Sequence, residues 1–382
     1  MYLLDNIDKQ QFIRQYWQKK PLVIKQGFDN FIDPLDENDL AGLSQEPAVD
    51  SRIVSLTANA WQVSHGPFED VNANCLGAWS LLVQSVDHFI PEADELMRAF
   101  DFIPHWRMDD LMVSFSNKDA GVGPHLDQYD VFIIQGKGSR RWQVGLPGDF
   151  DKINPHKDLA QISGFEPVID QVLQPGDVIY IPANHPHNGV ALEECLNYSV
   201  GFRAPSQQEM LSSLADFAID NNSFNERYTD KELAPREFSG EIKQQEVVRF
   251  KQMLKQLLET DQFSNWTAQF LSQGGEKHEF EDQDIQNLSH QEIDDKLKAG
   301  IPFIRCPGIK AVFLEHPLYN IDNFMFYIQG EAFSVPCKDK ELTLKFLHQP
   351  IFILENNQLD HCSVFFTELV TTMANLGYWY PE

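Results

Sequence analysis

The stretch GVGPHLDQYDVFIIQGKGSRRWQV, residues 121–144, is the part of the sequence that most narrows the fold. Within it, His125 and Asp127 stand two positions apart, so on an extended strand both side chains point to the same face. A second stretch, PGDVIYIPANHPHNGVAL at 175–192, supplies His187 at the entry to another strand-like run. Two imidazoles and one carboxylate are the ligand set of non-haem Fe(II) oxygenases, which leaves coordination positions open for a bidentate oxo-acid and dioxygen. The two stretches together predict a catalytic metal site.

His185 is an alternative third ligand, because it lies only two positions before His187. We favour His187, which directly follows Pro186 at the start of the NGVAL strand, and expect His185 at the mouth of the site or behind the ligands. An alternative interpretation of these residues is a metal-binding cupin, which is a small β-barrel protein, with an isomerase or storage role. Such sites commonly use more histidines than these and need no arginine opposite the metal.

An oxo-acid cosubstrate requires a cation for its distal carboxylate, and a guanidinium can grip a carboxylate with two hydrogen bonds. Arg140 follows the GKGS turn on the next strand and is the predicted partner. Arg141 faces the opposite way by strand alternation, and Lys137 lies in the turn. A surface arginine is the alternative for Arg140.

Hydroxyl and amide side chains on two other strands could contact the same carboxylate. On LMVSFS, Ser114 and Ser116 share one face with Met112. On LNYSVGF, Asn197 and Ser199 are candidates of the same kind, with structural hydrogen bonds as the alternative.

Short β-rich runs separated by Gly, Pro, Asn and Asp fill residues 111–203 and predict a barrel or a sandwich. The runs are LMVSFS, DVFIIQ, RRWQV, PVIDQVL, DVIYIP, NGVAL and LNYSVGFR. The hundred residues before them mix helices and strands. Among these, LGAWSLLVQSVDHF at 76–89 has helical spacing of its large apolar residues, so a helix is predicted there.

After Pro205 the sequence becomes helical, and the apolar stripe of the helix predicted over 241–260 can serve as a dimer interface. The stretch GGEKHEFEDQD at 274–284 is typical of a linker. The helices and small β-ribbon that follow are similar to a winged helix. The predicted class is therefore α+β, with a catalytic domain over 1–205, a helical region over 206–273 and a winged-helix-like domain over 285–382.

The amino-acid composition limits the binding partners and the cellular compartment that we expect for this chain. The 382 residues carry a formal net charge of −27, which repels phosphate backbones and attracts basic partners. No run of 18 apolar residues and no basic leader is present, so we expect a soluble, cytoplasmic chain without membrane contact. The five cysteines are far apart and never in C-x-x-C spacing, which favours reduced thiols.

The two motif stretches resemble the JmjC-domain 2-oxoglutarate oxygenases, and more narrowly the bacterial ribosomal oxygenases. The resemblance includes QYWQKKPLVIKQGF, VDSRIVS, WQVSHGPFE, NYSVGFRAP and the closing GYW, and so covers most of the chain. It implies a double-stranded β-helix (jelly-roll) barrel followed by a helical dimerisation region and a winged-helix domain.

The resemblance also implies an activity, which is hydroxylation of an arginine β-carbon in protein 16 of the large ribosomal subunit. Its iron ligands correspond to His125, Asp127 and His187, and its 2-oxoglutarate residues to Arg140 and Ser114. Dioxygen would be the second cosubstrate, and the protein would be a homodimer. The loop SNKDAGVG before the first ligand has fewer glycines than the family pattern, which affects only the expected docking of substrate.

Other functions remain open from the sequence. A JmjC hydroxylase of this kind could act on a histidine or a methyl-lysine of another basic protein, because the iron ligands do not decide the substrate. A DNA-binding sensor is a third possibility, but residues 289–382 hold seven Lys or Arg against twelve Asp or Glu, whereas a DNA-reading surface should be basic. Tyr129, Gln128 and Asp119 are candidate substrate contacts near the mouth.

Overall fold

The computed structural model describes residues 2–273, 287–315, 322–355, 358 and 362–382. The chain divides into two compact units. The first is built from residues 1–204, and the second contains most of residues 205–382. The linker predicted over 274–284 lies outside the described residues.

The first unit contains short helices and two main β-sheets. Its helices are α1 (Lys9–Gln15), α2 (Glu37–Leu43) and α3 (Pro91–Met97). Its strands are β1 (Leu22–Ile24), β2 (Ser51–Thr57), β3 (Ala60–His65), β4 (Ala78–Val83), β5 (Met108–Ser116), β6 (Asp130–Gln135), β7 (Arg140–Gly145), β8 (Lys152–His156), β9 (Leu159–Ile162), β10 (Pro167–Leu173), β11 (Val178–Ile181), β12 (His187–Ala191) and β13 (Cys195–Phe202).

The larger sheet has the strand order β1-β11-β6-β13-β5-β4-β2-β3, and the smaller has the order β10-β7-β12. Strand β6 is buried along its whole length, which explains its unbroken apolar sequence VFII. Val131 and Ile133 pack against Trp142 and Val144 of the smaller sheet. Phe132 and Ile134 pack on the opposite face, among residues from the N-terminal helices. The two sheets therefore face each other, and helices cover the outer side of the larger one.

The prediction of a helix over 76–89 was wrong. Residues 78–83 form strand β4, which pairs with β2 and β5, and a short 3-10 helix follows at Val86–His88. Leu81, Leu82 and Val83 are all buried, because this strand is covered on both faces. A strand of this kind has a continuous apolar run that helical periodicity can match by chance.

A buried polar network joins the N-terminal segment to the start of β6. Asp130 accepts hydrogen bonds from the Tyr180 hydroxyl at 2.6 Å, from Gln18 Nε2 at 3.1 Å and from Arg107 Nη2 at 3.3 Å. The Arg107 guanidinium also lies 5.2 Å from the centre of the Trp17 ring. Such a network is strongly stabilising only while every member keeps its partner.

The second unit also mixes helices and strands. Its elements are α4 (Gln207–Asp220), α5 (Gln244–Leu258), α6 (Asp261–Ser272), α7 (His290–Lys298), β14 (Phe303–Arg305), β15 (Ala311–Val312), β16 (Asn323–Ile328), β17 (Glu331–Pro336), α8 (Lys340–His348), β18 (Ile351–Phe352), α9 (Val364–Asn375) and β19 (Trp379–Pro381). The strands form sheets of order β18-β14-β19 and β15-β16-β17. Phe346 stacks on Trp379 and meets Phe352 and Phe366 edge-on, which gives this part its own aromatic core. The α+β class is confirmed.

Among the described helices, none has both the length and the apolar character required to cross a bilayer.

We predict that Asp130→Ala lowers the free energy of unfolding by about 3–5 kcal/mol, because it leaves a buried guanidinium without its carboxylate. Asp170→Ala is the matched control, since Asp170 pairs with Arg141 on the surface at 2.5 Å, and its loss should cost less than about 1 kcal/mol. Urea unfolding followed by tryptophan fluorescence measures both. Equal midpoints for the two variants would contradict the proposed importance of the network.

Candidate active site

Two backbone hydrogen bonds hold His125 and His187 side by side. The His125 amide donates to the His187 carbonyl at 3.0 Å, and the His187 amide donates to the His125 carbonyl at 3.1 Å. His187 is the first residue of β12, whereas His125 lies in the loop before β6. This isolated antiparallel bridge therefore brings two distant stretches of sequence to one place.

Further main-chain contacts orient the two imidazoles. The Nδ1 atom of His125 lies 2.9 Å from the Gly123 carbonyl oxygen, and that of His187 lies 3.0 Å from the His185 carbonyl oxygen. A carbonyl can only accept, so each Nδ1 carries the proton and each Nε2 presents a lone pair. Hydrogen bonds from Nδ1 to main-chain carbonyls commonly orient metal-binding histidines in this way.

Asp127 completes the cluster. Its Oδ2 atom lies 3.5 Å from His187 Nε2 and 3.9 Å from His125 Nε2, and the three candidate ligand atoms all lie within 4.8 Å of one another. The Asn184 amide donates to the Asp127 carbonyl at 2.7 Å, which ties the loop to the segment before β12. His185 is buried but does not belong to this cluster, and its Nδ1 lies 3.2 Å from the Ala183 carbonyl oxygen.

The electrostatics of the cluster suit a divalent cation. Burial and, to a smaller extent, the neighbouring His187 lower the pKa of His125 to about 4. Burial pushes the pKa of Asp127 upwards, but the adjacent imidazoles of His187 and His125 outweigh this effect and the pKa lies below its usual value. At neutral pH, His125 is thus neutral and Asp127 ionised, which are the forms that bind metal.

Two glycines make room for this arrangement. Gly123 has a φ of +80°, and a Cβ on it would lie 2.1 Å from Gln161 Nε2, so the loop before His125 requires glycine. A Cβ on Gly189 would lie 2.7–2.9 Å from atoms of the Trp142 ring. The indole therefore packs directly on the backbone of β12 and forms a wall of the site.

A cavity of about 330 Å³ opens beside the cluster, between the two sheets. Its lining includes Ile133, Ser114 and Asn197 from the larger sheet and Arg140, Trp142 and His187 from the smaller sheet. A concave cavity with convergent polar groups is typical of a site for a small molecule.

Arg140 lies at the far end of this cavity from the cluster. It pairs with Ala191, whereas His187 pairs with Val144, so the two positions are four residues apart along β7, which is about 13 Å on a strand. Arg140 is only 6% exposed, and Arg141 points outward to Asp170 as strand alternation requires. Within the described part of the chain, the buried Nε of Arg140 has no hydrogen-bond partner, so it remains available to a ligand.

The two serines of β5 differ in their contacts. Arg140 Nη2 donates to the hydroxyl of Ser116, which lies 2.7 Å from the hydroxyl of Ser80 on β4. Ser114 is buried and lines the cavity. Ser116 therefore holds the guanidinium, and this function was not assigned from the sequence, although the face that it shares with Ser114 was recognised.

Of the other candidates, Asn197 and Ser199 line the cavity, and Asn197 Nδ2 donates to the Gln135 side chain at 2.9 Å. Tyr129 also lines the cavity and is 40% exposed. Gln128 and Asp119 are exposed and are not part of its lining.

Among the lining residues that were missed in the sequence are Arg52, Leu82, Asp110 and Trp142. Of these four, only Trp142 could have been assigned to the site from the local sequence, because it lies two positions after Arg140 and therefore on the same face of β7.

Comparison with known proteins identifies the family. The JmjC domain matches residues 95–210. The ribosomal protein uL16 3-hydroxylase of Escherichia coli strain K12 is 40% identical over 374 residues, which are 97% of each chain. The chain belongs to the JmjC-domain ribosomal oxygenases.

Two solved structures of the E. coli ribosomal oxygenase YcfD match this chain over the full length of both chains. One has a TM-score of 0.90 at 40% identity, and the other, in complex with cobalt and 2-oxoglutarate, has a TM-score of 0.87 at 38% identity.

The predicted family is thus confirmed. The donor set of this ribosomal oxygenase also fits a catalytic divalent metal such as iron, because it offers two imidazoles and one carboxylate but no fourth protein ligand within the described cluster.

We predict that His187→Gln weakens Co(II) binding by more than about 100-fold, since it removes a ligand, and outer partners of ligands alone commonly contribute 10–100-fold. His185→Gln is the control, because His185 lies outside the cluster and the substitution keeps the main-chain carbonyl to which His187 Nδ1 bonds. Its Co(II) affinity should stay within about threefold of the unchanged protein. Titration followed by the cobalt absorption spectrum measures both, and a reversed order would make His185 the ligand.

Proposed function

We propose that this protein is an Fe(II)- and 2-oxoglutarate-dependent hydroxylase of an arginine β-carbon in large-subunit ribosomal protein 16, that is, uL16. The main observation behind this proposal is that a single cavity contains both a cluster of metal ligands and a buried guanidinium. The cavity has the His125, Asp127 and His187 cluster at one end and the buried guanidinium of Arg140 at the other. A metal and a dicarboxylate together require such a pair of sites.

In this proposal, His125, Asp127 and His187 hold the iron, and Arg140 with Ser114 binds the distal carboxylate of 2-oxoglutarate. Bound iron with 2-oxoglutarate and dioxygen would supply the oxidising chemistry that inserts one oxygen atom into a C–H bond, with succinate and carbon dioxide as the coproducts. Ser116 keeps the Arg140 guanidinium in place through its hydrogen bond. Trp142 forms the wall between the two ends and keeps water away from the cosubstrate chain.

The carboxylates that line the cavity and the net charge of the chain favour a basic substrate. Asp110 and Asp158 line the cavity in addition to Asp127, and the chain carries a net charge of −27. A cationic side chain would gain from this field both in encounter rate and in orientation. Tyr129, which lines the cavity, would contact the substrate, whereas Gln128 and Asp119 lie outside the lining. The E. coli relative is named a uL16 3-hydroxylase, which supports uL16 as the substrate over another basic protein.

The proposed domains are a catalytic domain over 1–205, a helical dimerisation region over 206–273 and a winged-helix-like domain over 285–382. Exposed apolar side chains support the dimerisation region, because Phe250, Leu254 and Leu258 recur every fourth residue on α5 and are each at least half exposed. Such a stripe is typical of a helix that packs on another chain.

The winged-helix-like domain has an acidic balance over 289–382, so we propose that it does not bind DNA. Tight binding to duplex DNA that weakens steeply with salt would revive the DNA-binding alternative. A ribosomal substrate and the absence of a membrane-crossing helix among the described residues agree with a cytoplasmic location, which is also part of the proposal.

We predict that incubation with Fe(II), 2-oxoglutarate and recombinant uL16 adds one oxygen atom to a single arginine of uL16. Intact-mass spectrometry with fragment-ion mapping measures this. Asp127→Ala should reduce the rate by more than about 100-fold, since it removes a metal ligand. An Asp127→Ala protein as active as the unchanged one would show that the assigned ligands are wrong. Succinate release without oxygen on uL16 would keep the chemistry and reject this substrate.

We predict that the protein is a dimer at micromolar concentration and that Leu254→Glu makes it monomeric, because a charge would be buried in the apolar stripe. Leu233→Glu is the control, since Leu233 is comparably exposed but lies outside the helices. Size-exclusion chromatography with light scattering gives both masses. A monomeric unchanged protein would exclude the dimerisation region.

A further inference from the structure

Three buried polar side chains form a hydrogen-bonded series at the end of the cavity that is opposite the metal-ligand cluster. Arg140 Nη2 donates to the hydroxyl oxygen of Ser116, and the hydroxyl oxygens of Ser116 and Ser80 are 2.7 Å apart. The two serines are direct cross-strand partners on β5 and β4. Arg140 and Ser80 line the cavity, whereas Ser116 is fully buried and is not part of the lining. The series therefore begins and ends at the cavity wall.

The direction of these hydrogen bonds follows from a count of donors and acceptors. A serine hydroxyl has one hydrogen and two lone pairs, whereas a guanidinium can only donate. Because Ser116 accepts from Arg140, its own hydrogen requires a different acceptor. Within the described part of the chain, the side-chain partners of Ser116 are Arg140 and Ser80 alone. Ser116 therefore donates to Ser80, since the opposite direction would leave a fully buried hydroxyl hydrogen without an acceptor.

The hydroxyl hydrogen of Ser80 is then the free end of the series. Ser80 accepts from Ser116, and its side chain forms no other hydrogen bond with the described residues. The residue is only 2% exposed, but it lines the cavity. A buried donor in this position is available to an acceptor that enters the cavity.

The neighbouring groups favour an anion as that acceptor. The buried Nε of Arg140 also lacks a partner within the described residues, so two unpaired donors face the same end of the cavity. Hydrogen bonds in a series polarise one another, and the first donor of this series carries a full positive charge. Bonds to an ionised acceptor are roughly twice as strong as neutral ones. A carboxylate, with two oxygens and about four lone-pair sites, can accept from several such donors.

We propose that Ser80 donates a hydrogen bond to the distal carboxylate of 2-oxoglutarate, in addition to Arg140 and Ser114. In this arrangement Ser116 is a positioning residue, because it acts on the carboxylate only through the guanidinium of Arg140 and the hydroxyl of Ser80. This inference rests on the proposed function. It adds to the cosubstrate site a residue of β4, a strand that lies outside both motif stretches.

The first test measures the affinity of the full-length, Co(II)-loaded proteins for 2-oxoglutarate by titration calorimetry. Ser80→Ala should raise the Kd by about 10- to 100-fold, the value of one hydrogen bond to a charged group. Ser55→Ala is the matched control, because Ser55 is an equally buried serine of the same sheet that does not line the cavity. Its Kd should stay within about twofold of the unchanged protein.

A second ligand separates a direct hydrogen bond from a general structural effect. In 2-oxopentanoate a methyl group replaces the distal carboxylate, while the oxo-acid group that chelates the metal is retained. Ser80→Ala should leave the Kd of this ligand within about twofold, because the deleted hydroxyl has no acceptor on it. The affinity for Co(II) should also stay within about twofold.

Ser116→Ala tests the positioning of the two cavity groups. It should weaken 2-oxoglutarate binding and leave 2-oxopentanoate binding unchanged. The loss in the double variant, Ser80→Ala with Ser116→Ala, should be smaller than the product of the two single losses, because both residues act through one series. A full product would show that Ser116 acts independently of Ser80.

The inference is wrong if Ser80→Ala binds 2-oxoglutarate as tightly as Ser55→Ala does. Ser80→Cys answers the same question where Ser80→Ala does not fold, since a thiol fills the space but is a weak donor. Equal losses of affinity for 2-oxoglutarate and 2-oxopentanoate, or for Co(II), would also overturn it. If the unchanged Co(II)-loaded protein does not bind 2-oxoglutarate, the proposed function fails and this inference fails with it. These titrations contain no uL16, so the failure of that substrate is a separate result.

Discussion

The pair of backbone hydrogen bonds between His125 and His187 is the contact on which the site depends. It joins the loop that precedes β6 to the first residue of β12, and so connects the two sheets at the point where the ligands lie. Because both Nδ1 atoms also bond to main-chain carbonyls, the positions of two ligands are fixed by backbone and do not rely on flexible side chains. The metal geometry is thereby preorganised by the fold.

Much of this site could be predicted because its signals are local. The side chains of His125 and Asp127, two positions apart, lie in one cluster, and strand alternation correctly separated buried Arg140 from exposed Arg141. The choice of His187 over His185 relied on its position at a strand entry, and His187 is the one that joins the cluster. The family, the α+β class and the β-rich middle of the chain followed from the same kind of short-range pattern.

The remaining features depend on which strands become neighbours, which one sequence does not reveal. Residues 76–89 looked helical because β4 is buried on both faces and therefore has no alternating pattern. Ser116, rather than Ser114, meets Arg140 because of the register between sheets, although both serines share a face. Arg52 comes from a strand far from the motifs, and only the pairing of β2 with β4 carries it to the cavity.

The spacing along β7 and β12 has a consequence for the choice of cosubstrate. Arg140 and the partner of His187 are four residues apart on a strand that is hydrogen-bonded on both sides, so their separation cannot adjust to the molecule between them. The paired strands therefore keep the ligand cluster and the guanidinium of Arg140 at a fixed distance from each other. In the proposed function, a dicarboxylate whose length matches this separation would span from the ligand cluster to Arg140, and Trp142, which lies between the two positions on β7, would border it. Selectivity for the length of the dicarboxylate would then follow from the backbone register that separates Arg140 from the cluster.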